Sequence, residues 1–96
     1  MTVDHREQAR ARIEELTALL RSGGDASFGA IAGECEALSR AIAAFHMEGI
    51  RFRIYNVDRL LHAQTAAPPR ATALLEDARK HLEAAGFHTR SHQAPI

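Results

Sequence analysis

Residues 28–66 read FGAIAGECEALSRAIAAFHMEGIRFRIYNVDRLLHAQTA, and the way this stretch coils decides the architecture. It has no proline and three glycines, Gly29, Gly33 and Gly49, and its apolar residues recur at helical spacing almost throughout. Ile31, Cys35, Leu38, Ile42 and Phe45 form one face. Met47, Ile50, Ile54, Val57 and Leu61 form a second, turned by about 90° on a wheel of 100° per residue. One uninterrupted helix would extend about 58 Å at 1.5 Å per residue, too long for a chain of 96 residues to surround. A kink or break at Gly49, where glycine costs about 1 kcal/mol relative to alanine, lets the two faces meet different neighbours.

An alternative reading applies to residues 50–57. Ile50, Phe52 and Ile54 alternate with Arg51, Arg53 and Tyr55 in the manner of a half-buried strand, which would make the fold α+β. The helical template sorts the longer run of residues into apolar and polar sectors, so it is preferred.

The flanks read as two further helices. Asp4 and Glu7 have the spacing of an N-cap and its N3 partner, and Ala9, Ile13, Leu16 and Leu20 continue as an apolar stripe with Leu19 widening it. This first helix ends near Arg21 or Ser22, with Gly23 as a left-handed terminal residue. Asp25 and Ser27 compete as caps for the central stretch. Pro68 and Pro69 stop that stretch, and Pro69 suits the first turn of a last helix. The last helix carries Ala71, Leu74, Leu75, Ala78, Leu82 and Ala85 and closes at Gly86, with Phe87 folding back on Leu82. Residues 1–87 thus form one helical domain, and residues 88–96, polar and without a period, a flexible tail. The predicted fold is all-α, three helices running up and down with a long central one, its open grooves completed by dimerisation.

Composition supports association. Hydrophobic residues make up 46% of the chain, but 19 of them are alanines, which bring helix propensity and little apolar area. Small chains with thin cores are commonly supplemented by disulfides, metal or oligomerisation, and the single cysteine, Cys35, excludes an internal disulfide. Twelve basic residues balance twelve acidic ones, so there is no global basic field for nucleic acid. The balance hides an asymmetry: 8 acids against 5 bases in residues 1–49, and 4 against 7 in residues 50–96. Opposite signs at the two ends suit antiparallel self-pairing or an anionic partner. No apolar run approaches a membrane span and no targeting segment stands at the N-terminus, so a cytoplasmic location is expected.

Catalytic signals are weak. His88 and His92 form an H-x3-H pair, but they lie beyond the Gly86 stop with no further ligands, so no metal is expected. His46 and His62 point to nearly opposite sides of a helix. His46 sits at the margin of the apolar sector, as a partly buried imidazole, and Cys35 reads as a core residue with Glu34 and Glu36 beside it instead of cations. Glu14 with Glu15, and Glu76 with Asp77, diverge by about 100° on a helix and share no proton. No nucleophile elbow, phosphate-binding glycine loop or zinc motif is present, and no cofactor is implied.

One surface rises above this background. Glu48, Arg51, Phe52, Tyr55 and Arg59 fall on one side of the helical reading, away from Ile50 and Ile54, and aromatic residues with arginine are the mixture of interface hot spots. The expected function is therefore a non-catalytic helical interaction or regulatory module, acting as a homodimer through that surface. The alternative is a small helical enzyme or sensor in which Arg51, Arg53, Arg59 and Arg70 hold an anionic metabolite.

Overall fold

The computed structural model of the chain describes residues 3–23, 26–65 and 67–87. It is all-helical: α1 (His5–Ser22), α2 (Ala26–Ala43), α3 (Met47–His62) and α4 (Pro69–Ala84). Residues 50–57 lie inside α3, so the strand alternative is set aside. The predicted long central helix does not form; it is divided, and there are four described helices where three were expected.

The division falls at residues 44–46, ahead of Gly49. Phe45 takes φ 56°, a left-handed conformation usually reserved for glycine. Two reverse hydrogen bonds close the end of α2, from the Phe45 amide to the Ile42 carbonyl (3.2 Å) and from the His46 amide to the Ala41 carbonyl (3.0 Å). His46 then caps α3, its Nδ1 accepting from the Gly49 amide at 2.9 Å. Gly49 has a different task from the one expected of it. A Cβ there would stand 2.5 Å from His46 Nδ1 and 3.4 Å from Ala41 Cβ, so its missing side chain makes room for the capping imidazole.

Because the rod is broken, it covers itself. Pairs at Glu34 with Arg53 and Ser27 with Gln64 place α3 antiparallel on α2. Arg6 reaching the carbonyls of Ile42 and Ala43 places α1 antiparallel on α2, and Arg12 with Asp77 and His5 with His81 do the same for α1 and α4. The last helix therefore packs chiefly on α1, and α3 touches α4 only lightly. The order across the fold is α4, α1, α2, α3, and the particle is broad and thin at 38 × 36 × 21 Å.

Twenty apolar residues are buried among those described, including Ile13, Leu16, Ile31, Leu38, Ile42, Ile50, Ile54, Leu75 and Leu82. These are the positions the period selects. Three expected core residues are exposed: Phe45, Met47 and Ala85. The first two sit at or beside the left-handed turn, and Ala85 is the C-cap just beyond the end of α4. The caps at Asp4 (Glu7 amide, 3.1 Å) and at Gly86 (φ 98°) form as expected, with the Phe87 amide on the Leu82 carbonyl at 2.9 Å. Gly23 instead stays right-handed at φ −76°, and the Ser22 hydroxyl takes up the Leu19 carbonyl at 2.8 Å. The expected cap at Asp25 and the tail at 88–96, with His88 and His92, lie outside the described residues.

The His46 cap and Gly49 should be energetically coupled. His46→Ala is expected to cost about 1 kcal/mol in urea denaturation, as lost caps do. Gly49→Ala should be neutral or destabilising in the native background, since its methyl displaces the imidazole, yet stabilising by about 0.5–1 kcal/mol once His46 is alanine. Equal effects in both backgrounds would show that the imidazole is not the obstacle.

Candidate functional site

α3 has two faces of different chemistry. Ile50, Ile54, Val57 and Leu61 are buried, which turns Glu48, Phe52, Tyr55 and Arg59 outward. The helix is locally self-supporting on that side: Arg51 Nη1 meets Glu48 Oε2 at 3.0 Å, one turn apart. Phe52 is 56% exposed and Tyr55 39%, and the Arg53 guanidinium carbon lies 5.2 Å from the Phe52 ring centroid. Arg53 is itself anchored, its Nη1 donating to both oxygens of Glu34 at 3.0 and 3.2 Å. The aromatic ring is thus backed by a cation held in place from α2.

Glu48, Arg51, Phe52 and Tyr55 line a shallow concavity of about 200 Å³, and four of the five sequence-predicted residues are brought together there. Arg59 stands outside it, exposed, one turn beyond Tyr55. Enclosed small-molecule sites typically measure about 300–1,000 Å³, so this open hollow suits a side chain of another protein better than a metabolite. A larger groove of about 460 Å³ lies between α1 and α2, lined by Glu14, Thr17, Glu36, Ser39 and Arg40. Its carboxylates are already engaged, Glu36 by Arg21 at 2.8 Å and Glu14 by Arg10 at 3.8 Å.

The four arginines of the metabolite reading do not converge. Arg51 and Arg59 are on the outer face of α3, Arg53 is turned to Glu34 on α2, and Arg70 on α4 pairs with Glu15 of α1. The charge asymmetry of the sequence is thereby partly spent inside the chain, since Glu34 with Arg53 and Glu15 with Arg70 each join the acidic half to the basic half. The adjacent carboxylates separate as expected: Glu76 pairs with Arg79 and Asp77 with Arg12 at 2.7 Å.

The histidines form no metal site among the described residues. His46, expected to be partly buried, is exposed and serves as a helix cap. His62 Nδ1 sits 2.8 Å from the Asp58 carbonyl. His5 and His81 bring their Nδ1 atoms to 2.9 Å, a pairing across 76 positions that no local pattern announces. Arg79 was also missed, and its signal was present: it lies four residues after Leu75 and three before Leu82, on the apolar side of α4. It is buried at 3% exposure, with one nitrogen 3.3 Å from Glu76 and Nε and Nη2 without acceptors.

Comparison with protein-family models, curated proteins and solved structures gives no match.

Two side chains yield checks. Burial pushes the Cys35 thiol up from 9.0 to about 12, Glu34 and Glu36 adding to the effect against a hydrogen bond from Thr17. A thiolate reagent at pH 8 should leave it unlabelled in the folded chain and label it fully in urea. Because the folded value is the higher one, the native state holds the proton longer; its contribution is complete below pH 9 and is lost as pH climbs towards 12. Rapid labelling of the folded chain would contradict the burial. For Arg79, replacement by methionine removes two unsatisfied donors while keeping most of the volume, so stability should be unchanged or higher by about 1 kcal/mol. A loss above about 2 kcal/mol would mean that the guanidinium is paired in solution.

Proposed function

We propose that this protein is a non-catalytic helical interaction and regulatory module of the cytoplasm, working as a homodimer through the outer face of α3. The observation that carries this reading is the exposure of Phe52 and Tyr55 beside Arg51 on a rigid helix whose other face is fully buried. Aromatic residues and arginine are enriched among the side chains that dominate the energetics of protein contacts, the aromatics because they bring a large area at low conformational cost. The same face carries both signs of charge, Glu48 with Arg51 and Arg59, and a surface that contains its own complement favours a second copy over a partner of one sign. The exposed ring of Phe52 and the partly exposed ring of Tyr55 lie outside the buried apolar cluster, which is what separates them from the core.

Light scattering after size exclusion tests the proposal. At tens of micromolar the native chain should run at twice its 10.5 kDa mass. Phe52→Ala with Tyr55→Ala should shift it to monomer, with a dissociation constant weaker by at least about 30-fold, the equivalent of about 2 kcal/mol for truncated hot spots. Far-UV circular dichroism should stay close to native, and the melting temperature should fall only by the stabilisation that dimerisation adds at that concentration. A native chain that stays monomeric throughout the range of about 1–200 µM, where an interface of this small class should still associate, would overturn the homodimer.

A further inference from the structure

The outer face of α3 is a seam with its own order. Glu48, Phe52, Tyr55 and Arg59 follow one another at intervals of four, three and four residues, the spacing by which one helix presents a stripe to another. The buried residues Ile50, Ile54, Val57 and Leu61 repeat the same intervals on the opposite side. α3 is thus built with two packing stripes, and the chain itself covers one.

Glu48 lies four residues before Phe52, and Arg59 lies four residues after Tyr55. The stripe is therefore symmetric about its midpoint in size and complementary in charge. We infer that α3 docks on α3 of a second copy in an antiparallel register, with the two-fold axis between Phe52 and Tyr55. Phe52 then stacks on Tyr55 of the partner subunit, and Glu48 meets Arg59 of the partner subunit, each contact occurring twice. A parallel pairing would instead set Glu48 against Glu48 and Arg59 against Arg59, like charges at both ends of a three-turn contact. The intrachain partner of Glu48 does not compete, because Arg51 engages Oε2 and a carboxylate accepts from a second guanidinium through its other oxygen. Among the described residues Arg59 has no carboxylate within ion-pair distance, while Arg51, Arg53 and Arg70 each have one. The contact spans about 16 Å of helix, a small interface of the class that associates weakly, so dilution over about 1–200 µM covers the transition.

This register rests on the proposal that α3 is the dimer face, and charge exchange separates the two claims. Sedimentation equilibrium is run on the full chain in about 50 mM salt, where exposed pairs are least screened. Glu48→Arg and Arg59→Glu should each weaken the dimer about tenfold or more, because each makes both terminal contacts repulsive. The double variant E48R/R59E should return to within about threefold of native, and an equimolar mixture of the two single variants should form heterodimers as tightly. Circular dichroism on each variant confirms folding; Glu48 is 77% exposed, so its exchange leaves the core untouched. If the single variants dimerise like the native chain, or neither the double variant nor the mixture recovers while Phe52→Ala still gives monomer, the register is wrong and the dimer face stands. If Phe52→Ala leaves the dimer intact, the face itself is wrong and the register falls with it.

Discussion

Everything in this fold depends on three residues that turn the chain between α2 and α3. A left-handed phenylalanine costs about 1–2 kcal/mol relative to a right-handed one, and the surroundings of Phe45 offset it. The Arg6 guanidinium lies 4.1 Å from its ring centroid and donates to the last carbonyls of α2 at 3.3 and 3.4 Å. The Phe87 ring stacks on Phe45 with the centroids 6.3 Å apart. An exposed cation over an aromatic face contributes about 0.5–1 kcal/mol, and capping of the carbonyls adds to it. The start of α1, the end of α2 and the end of α4 are thus tied at one corner, and the corner holds the conformation that directs α3 back along α2.

With the rod folded, the core no longer needs a second molecule to be covered. Leu38, Ile42, Ile50 and Ile54 are fully enclosed by their own chain, although alanine supplies much of the apolar composition. Alanine allows this economy of area because it lets helix axes approach closely: Ala9, Ala32, Ala71 and Ala78 are all buried at the crossings. Ion pairs then bridge the helices, Arg12 to Asp77, Arg21 to Glu36 and Arg53 to Glu34. Each is half exposed and individually weak. Together they give each helix neighbour an electrostatic match, and Arg53 with Glu34 also joins the acidic half of the sequence to the basic half.

Self-sufficiency changes what the outer face of α3 means. Were the core incomplete, exposed aromatics would simply be the unfinished part of it. Here the inner stripe is closed, and Phe52 and Tyr55 are additional to it. Arg53 holds Phe52 from behind while being anchored to Glu34, so the ring is presented with little conformational freedom left to lose on contact. That is the physical basis for reading the face as an interaction surface.

Helical class, the Asp4 and Gly86 caps, the stripes of α1 and α4, the burial of Cys35 and the inward and outward faces of α3 were all legible in the sequence, because each arises from spacing within a few turns. The grouping of Glu48, Arg51, Phe52 and Tyr55 on one side of α3 was legible for the same reason. The break at residues 44–46 was not. Nothing local marks a left-handed phenylalanine, since Arg6 and Phe87, which pack on Phe45, arrive from positions far along the chain. The burial of Arg79 and the approach of His5 to His81 likewise arise only when α4 lies against α1. Short-range periodicity determined which residues turn inward, and the long-range packing of helix ends alone decided where the chain reverses and which helices meet.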